Sequence, residues 1–205
     1  MTRVNRDQLV TAALDLIDEA GGEALSMRSL AARVDRRVSS LYNHVASRDD
    51  LIEAVRARIV AGIDTSAFAD EPWDAALGRW ARSYLAAFAA HPNLIRLLSA
   101  TPIRDASTYD MYERVIAALV AAGWPRGDTV AVMRTVEALV LGSALDIVAP
   151  ADLLSHASVP PGHPAIRAAL DPALGEAFGA PRAFELGLAA LLVGLRERHA
   201  AVTVG

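Results

Sequence analysis

The stretch that most narrows what this 205-residue chain can fold into is residues 26–48, SMRSLAARVDRRVSSLYNHVASR. Met27, Leu30, Ala31 and Val34 recur at i, i+3, i+4 and i+7, one face of a helix that Ser26 can cap, and such a face has to be buried. Asp35, Arg36 and Arg37 then break the apolar pattern, and Asp35 tolerates the left-handed backbone that a sharp turn needs. In the second half only Leu41 and Val45 are large and apolar at helical spacing, so Ser39, Ser40, Tyr42, Asn43 and His44 are left outside. Two short helices around a tight turn, with a hydrogen-bonding outer surface, have the form of a helix-turn-helix suited to a DNA major groove. Asn43 can pair bidentately with adenine and Ser39 and Ser40 can serve several bases, while Arg28, Arg37 and Arg48 are placed to neutralise phosphates. Arg36, within the turn, joins this set. The competing reading is a helical hairpin packed inside an all-α protein, its arginines merely solvated.

Charge is distributed in favour of the first reading. The chain carries a net charge of -4, which evenly spread would argue against a polyanionic partner. Between residues 26 and 48, however, five arginines face a single acid, whereas residues 63–205 hold eleven arginines against fifteen acids. A basic segment on an acidic body orients a protein on a polyanion.

In the order L30 to V55, LAARVDRRVSSLYNHVASRDDLIEAV resembles the signature of the TetR family of bacterial transcription regulators. The positions that match are Leu30, Ala31, Leu41, Tyr42, His44, Val45, Arg48 and Leu51; the departure is in the turn, where the family usually has a Gly and an aliphatic residue and this chain has Asp35 and Arg36. The match is specific over roughly residues 8–60 and one of pattern beyond. The resemblance implies a ligand-responsive regulator, most often a repressor, with a reading head and a helical ligand-binding and dimerising body. An effector in the body would move the 47–63 helix and so change the separation of the two heads.

The remaining pattern is helical throughout, and the expected fold is all-α: a three-helix head at 1–46 and a larger helical bundle at 47–205. Asn5 and Gln8 form a capping-box arrangement for a helix over 5–20 that Gly21 and Gly22 end. Arg3 and Arg6 are either an arm toward DNA or solvated terminal charges. Ser47 caps a fourth helix to about 63, residues 64–71 read as a connector, and Pro72 opens a helix to about 91. Trp73, Leu77, Trp80, Tyr84, Phe88 and His91 share one stripe of it, holding four of the chain's eleven aromatics. Candidate ligand-binding residues are Trp80, Tyr84, Phe88 and His91 from this stripe, with Tyr112, Met133 and Glu137 from later helices; the alternative for each is ordinary core. Shorter helices are expected over 92–100 and 108–122, a loop over 150–164, and two helices apolar nearly all round at 125–148 and 181–198. These two point to a homodimer built on a four-helix interface, which would place two recognition helices in successive major grooves of a palindromic operator; a monomer with both in its core is the alternative.

Other chemistry is set aside. The chain has no cysteine, no run long and apolar enough for a membrane span and no signal-peptide core, so a cytoplasmic protein without membrane contact is expected. Phosphate loops, nucleophile motifs and paired catalytic carboxylates are missing, and no enzyme and no cofactor are expected. The five histidines lack dedicated metal spacing, and no metal site is assigned, although a metal accompanying a ligand through His91 or the loop histidines stays open. Arg134 and Glu137, three apart, suit a surface ion pair. Two rivals remain: a helical binding protein that has lost DNA binding, and a small all-α enzyme.

Overall fold

Helix α1 (Arg6–Ala20) starts on the capping box expected of it: Asn5 Oδ1 accepts from the Gln8 amide at 2.8 Å and Gln8 Oε1 from the Asn5 amide at 3.0 Å. Gly21, at φ 81°, ends it and donates its N–H to Ile17 O. The computed structural model describes residues 4–150 and 152–203, the side chains of 176–178 excepted. Helix α2 (Met27–Arg33) is capped by Ser26, with Ser29 reciprocating. After it Asp35 takes φ 50°, and the following Arg36 N–H closes back onto Ala31 O at 2.9 Å. An aspartate thus supplies the left-handed residue that glycine usually supplies at a helix end. Helix α3 (Val38–Leu41) is a single turn prolonged by His44 and Val45 amides, both donating to Leu41 O. Leu41 and Val45 are buried in the hydrophobic core, the inward pair the pattern predicts.

The body follows its sequence signals with shifted ends. Helix α4 (Arg48–Val60), capped by Ser47, stops short of residue 63, and a short helix α5 (Ala67–Asp70) occupies what reads as a connector. Helix α6 (Trp73–Ala89) follows Pro72, and α7 (Asn93–Ser99) follows Pro92. Helix α8 (Ala106–Ala121) begins two residues earlier than its pattern, because Asp105 Oδ2 accepts from the Thr108 amide at 3.0 Å. After α9 (Arg126–Ile147) the chain is largely irregular to residue 163, then forms α10 (Pro164–Ala169) and a 3-10 segment at Pro172–Phe178. Helix α11 (Ala180–Thr203) outruns its expected end. Among the described residues there is no strand, and no helix is long and apolar enough to cross a membrane.

Helices α6, α9 and α11 make the body's centre. Helix α11 runs antiparallel to both others: Glu185 receives both arms of Arg82, Asp74 receives Arg196 at 2.5 Å, and Arg198 reaches Asp128 at 3.2 Å. Fully buried Trp80, Leu77, Val136, Val140 and Leu188 fill the space between. Helix α4 packs on α1 on one side and on α6 and α8 on the other, so it links the N-terminal helices to the body, beside a second contact of α7 with α1. Because the left-handed turn costs a non-glycine residue about 1 to 2 kcal/mol, Asp35→Gly is expected to hold or raise stability and Asp35→Val to lower it by about that much, read from urea unfolding midpoints.

Candidate nucleic-acid interface and body cavity

The outward surface over residues 36–44 is held from behind by arginines. Arg6 donates to both Asp50 oxygens, at 3.1 and 2.8 Å, and to His44 O at 3.0 Å; Asp50 also accepts from the Ala46 amide at 2.9 Å. The hydrogen bonds from Arg6 keep the Asp50 carboxyl below its usual range, against a smaller desolvation cost. The start of α1, the end of the recognition turn and the start of α4 are thereby fastened together. Arg6 is therefore a clamp and not an arm, and Arg3 lies outside the described residues. Arg33 is likewise engaged, with both Glu19 oxygens at 2.6 Å.

Arg48, expected at the phosphate backbone, turns inward: Nε donates to Leu25 O at 2.7 Å and its terminal nitrogen to Gly22 O at 3.2 Å. As the first residue of α4 it lies beside the carbonyls of the 22–25 turn, and these hold its guanidinium. Arg28 and Arg37 are exposed, as are Ser39, Tyr42 and Asn43, with just over half of Tyr42 open to solvent. Ser40 and His44 are half-buried, and the Ser40 hydroxyl donates to Arg37 O at 2.7 Å. Arg36 donates to Asp35 O at 2.7 Å and borders a shallow depression with Val4, Ser40, Asn43 and His44. Of the nine residues assigned to DNA from the sequence, Arg36, Ser40, Asn43 and His44 thus line one depression, Arg28, Arg37, Ser39 and Tyr42 are exposed, and Arg48 turns inward.

The body holds a cavity in two adjoining parts, of about 340 and about 700 Å³, that share Ile103, Tyr112 and Glu137 as lining residues. Glu137, on α9, sits at the join. Its Oε1 accepts from the hydroxyls of Tyr84 on α6, at 3.1 Å, and Tyr112 on α8, at 2.8 Å. Burial pushes the Glu137 carboxyl above its ordinary 4.5, the two phenols only partly offsetting it, and burial raises both phenols too, so they stay neutral donors. Phe88 lines the inner part and Met133 the outer. Five of the seven residues proposed from the sequence therefore meet.

Two do not. Trp80 is fully enclosed between Phe68 and Tyr84, with ring centroids at 6.4 and 5.3 Å, and is core. His91 leaves the stripe at the end of α6, where its Nδ1 lies 2.8 Å from Asp18 Oδ2 on α1, beside Asn93, which donates to Ile17 O and Asp18 O. It joins body to head. The Arg134–Glu137 pair suggested by spacing is absent from the ion pairs of the described residues, since Glu137 points to the phenols and Arg134 is exposed. Nor do the described residues contain a group of three or more metal-ligating side chains.

The residues that sequence reasoning misses join cavity to head. Glu53 on α4 accepts from the Arg104 and Asp105 amides, at 2.6 and 2.8 Å, and from Arg56 Nε at 2.9 Å. Arg56 reaches Leu98 O at 3.3 Å and Thr101 O at 2.9 Å. Both side chains are about nine-tenths buried. The segment they grip, residues 98–105, walls the cavity through Leu98, Thr101, Pro102 and Ile103. The i, i+3 spacing of Glu53 and Arg56 is visible in the sequence, but not their target.

A raised carboxyl in the folded state adds stability below its unfolded value and loses it as pH rises through its folded one. Glu137→Gln is therefore expected to be no more stable than wild type below pH 4.5 and to gain on it progressively toward neutrality, measured as the difference in Tm across pH.

Known proteins match both regions. The family described as "Bacterial regulatory proteins, tetR family" covers residues 9–55, and "Tetracyclin repressor-like, C-terminal domain" covers 68–199. The tetracycline repressor protein class A from transposon 1721, of Escherichia coli, is 30% identical over 98% of this chain and 95% of its own length. Among solved structures, apo ActR from Streptomyces coelicolor superposes with a TM-score of 0.78 at 26% identity, over 98% of this chain and 99% of that one. ActR in complex with actinorhodin does so at 0.74 and 26% identity, over 95% and 96%.

Proposed function

This chain belongs to the TetR family, transcription regulators and not enzymes, and on that premise we propose that it acts as a cytoplasmic homodimeric repressor of a palindromic operator, released by a small hydrophobic or aromatic effector. That it is a ligand-responsive DNA-binding regulator follows from its family and relatives. One observation carries the finer reading: a cavity wall, residues 98–105, is fastened by Glu53 and Arg56 to the helix that also anchors the recognition turn through Asp50. An effector that displaces that wall moves α4, and DNA affinity falls if the effector favours the DNA-incompetent arrangement. The division assigned is a head at 1–46 and a body at 47–205, with α4 as the body's lever.

On the head, Arg28 and Arg37 take phosphate contacts, while Ser39, Ser40 and Asn43 face base edges, with Arg36, Tyr42 and His44 bordering them; Arg48 is left out as a brace. In the body the effector contacts Tyr84, Phe88, Tyr112, Met133 and Glu137. The dimer forms through the helices at 125–148 and 181–198. What supports it is a pair of exposed stripes: Ala131, Thr135, Ala138, Gly142 and Leu145 on α9, and Ala183, Leu186, Ala190 and Val193 on α11, each spaced alternately by three and four. A Cβ added at Gly142 or Gly194 would meet nothing within 4 Å, so both positions lie on open faces that a second pair of helices can approach closely.

Asn43→Ala is expected to relax base preference at one half-site position by about 1 to 3 kcal/mol. Arg37→Ala should weaken all duplexes alike and reduce the slope of log affinity against log salt by about one; a change confined to sequence preference would remove Arg37 from the phosphate role. Val193→Arg is expected to convert the dimer to monomer in sedimentation velocity and abolish operator binding while leaving helicity unchanged.

A further inference from the structure

The cavity's polar chemistry is one-sided. Glu137 is the only carboxyl at the join of its two parts, and both hydroxyls it receives fall on Oε1, whereas Oε2 has no hydrogen-bond partner among the described residues. A buried carboxylate held by two neutral donors is left undercompensated unless something else supplies positive charge. The protein's own cations supply little of it. Arg56 is spent on Glu53 and the carbonyls of Leu98 and Thr101, and Arg134, exposed at the outer part that Asp110 and Glu113 also line, makes no ion pair with Glu137 and is the least of the influences on its carboxyl. Tyr84, Phe88 and Tyr112 place aromatic rings around the same carboxyl, with Tyr84 and Phe88 in contact at 5.0 Å between centroids. Rings beside a carboxylate, in a cleft of this kind, are the arrangement that holds an organic ammonium, by charge-assisted hydrogen bonding and cation–π attraction together.

We infer that the effector of this protein is an aromatic or hydrophobic amine whose protonated nitrogen binds Glu137 Oε2 between the Tyr84, Phe88 and Tyr112 rings. This rests on the cavity being the effector site, and it adds the charge that the effector carries. A neutral or anionic aromatic of the same size fits the apolar walls but leaves Oε2 without a donor or faces it with like charge.

Three anthracenes of near-identical shape separate these cases: 9-(aminomethyl)anthracene, a cation at neutral pH, 9-anthracenemethanol, and 9-anthracenecarboxylate. Each is titrated by fluorescence into the full-length protein and, in parallel, into the protein bound to a duplex selected by it from a random pool. The ammonium is expected to bind about tenfold or more tighter than the alcohol, and the carboxylate more weakly than either. Glu137→Gln, which keeps an acceptor for the two phenols, should bring ammonium and alcohol within about twofold of each other, and Met133→Ala should leave their ratio intact. An ammonium that binds no tighter than the alcohol, shows no saturable binding, or keeps its advantage in Glu137→Gln overturns the inference. If the alcohol releases the duplex as well as the ammonium does, the effector reading stands and the amine assignment falls. If the ammonium binds with the expected dependence on Glu137 but leaves DNA affinity unchanged, the amine site stands and its role as the effector site falls.

Discussion

The buried pair Glu53 and Arg56 is the constraint on which the relation between the two halves depends. Neither is an ordinary surface ion pair: four main-chain groups of the 98–105 segment, two amides and two carbonyls, end on these two side chains. Charged groups so deeply buried stabilise only while all their partners remain in place, and losing one strands the other. Such a node is intolerant of gradual distortion. The segment and α4 move together or the node breaks, which is how a small change in a cavity wall becomes a displacement at a distance.

The head shows the complementary use of charge. Its arginines divide by what their neighbours offer. Arg6, Arg33 and Arg48 find carboxylates or open carbonyls within reach and become braces within the head, and Arg6 among them holds the end of the recognition turn at His44 O. Arg28 and Arg37 remain at the surface. The count of five arginines against one acid over residues 26–48 thus overstates the charge presented outward, because Arg33 is already paired with acids of α1.

Local physics was legible in the sequence and long-range partnership was not. The caps at Asn5 and Ser26, the left-handed Asp35 and the burial of Leu41 and Val45 each depend on residues within a few positions. They could be read from spacing and side-chain chemistry alone. The early start of α8 escapes the pattern because Ala106 and Ser107 read as the end of the preceding loop, although the Asp105 cap is visible in the sequence. Trp80 and His91 share a helical stripe with Tyr84 and Phe88, yet one is sealed in the core and the other meets Asp18, 73 residues away. Periodicity gives a face but not what covers each turn of it. The same holds for Arg48, whose partners lie 23 and 26 residues back.

The central claim is that α4, gripped at Glu53, sets the spacing of two heads in a dimer. Because the chain has no cysteine, Ala46→Cys gives a single spin-label site just after α3, at an exposed residue assigned no DNA contact. Pulsed electron–electron distance measurement between the two labels of a dimer bound to operator should give one narrow peak at roughly the 34–36 Å that separates successive major grooves. Adding Glu53→Ala should broaden and shift that peak in the DNA-free protein. Absence of any label-to-label distance, or a distribution unchanged by Glu53→Ala, would contradict the account.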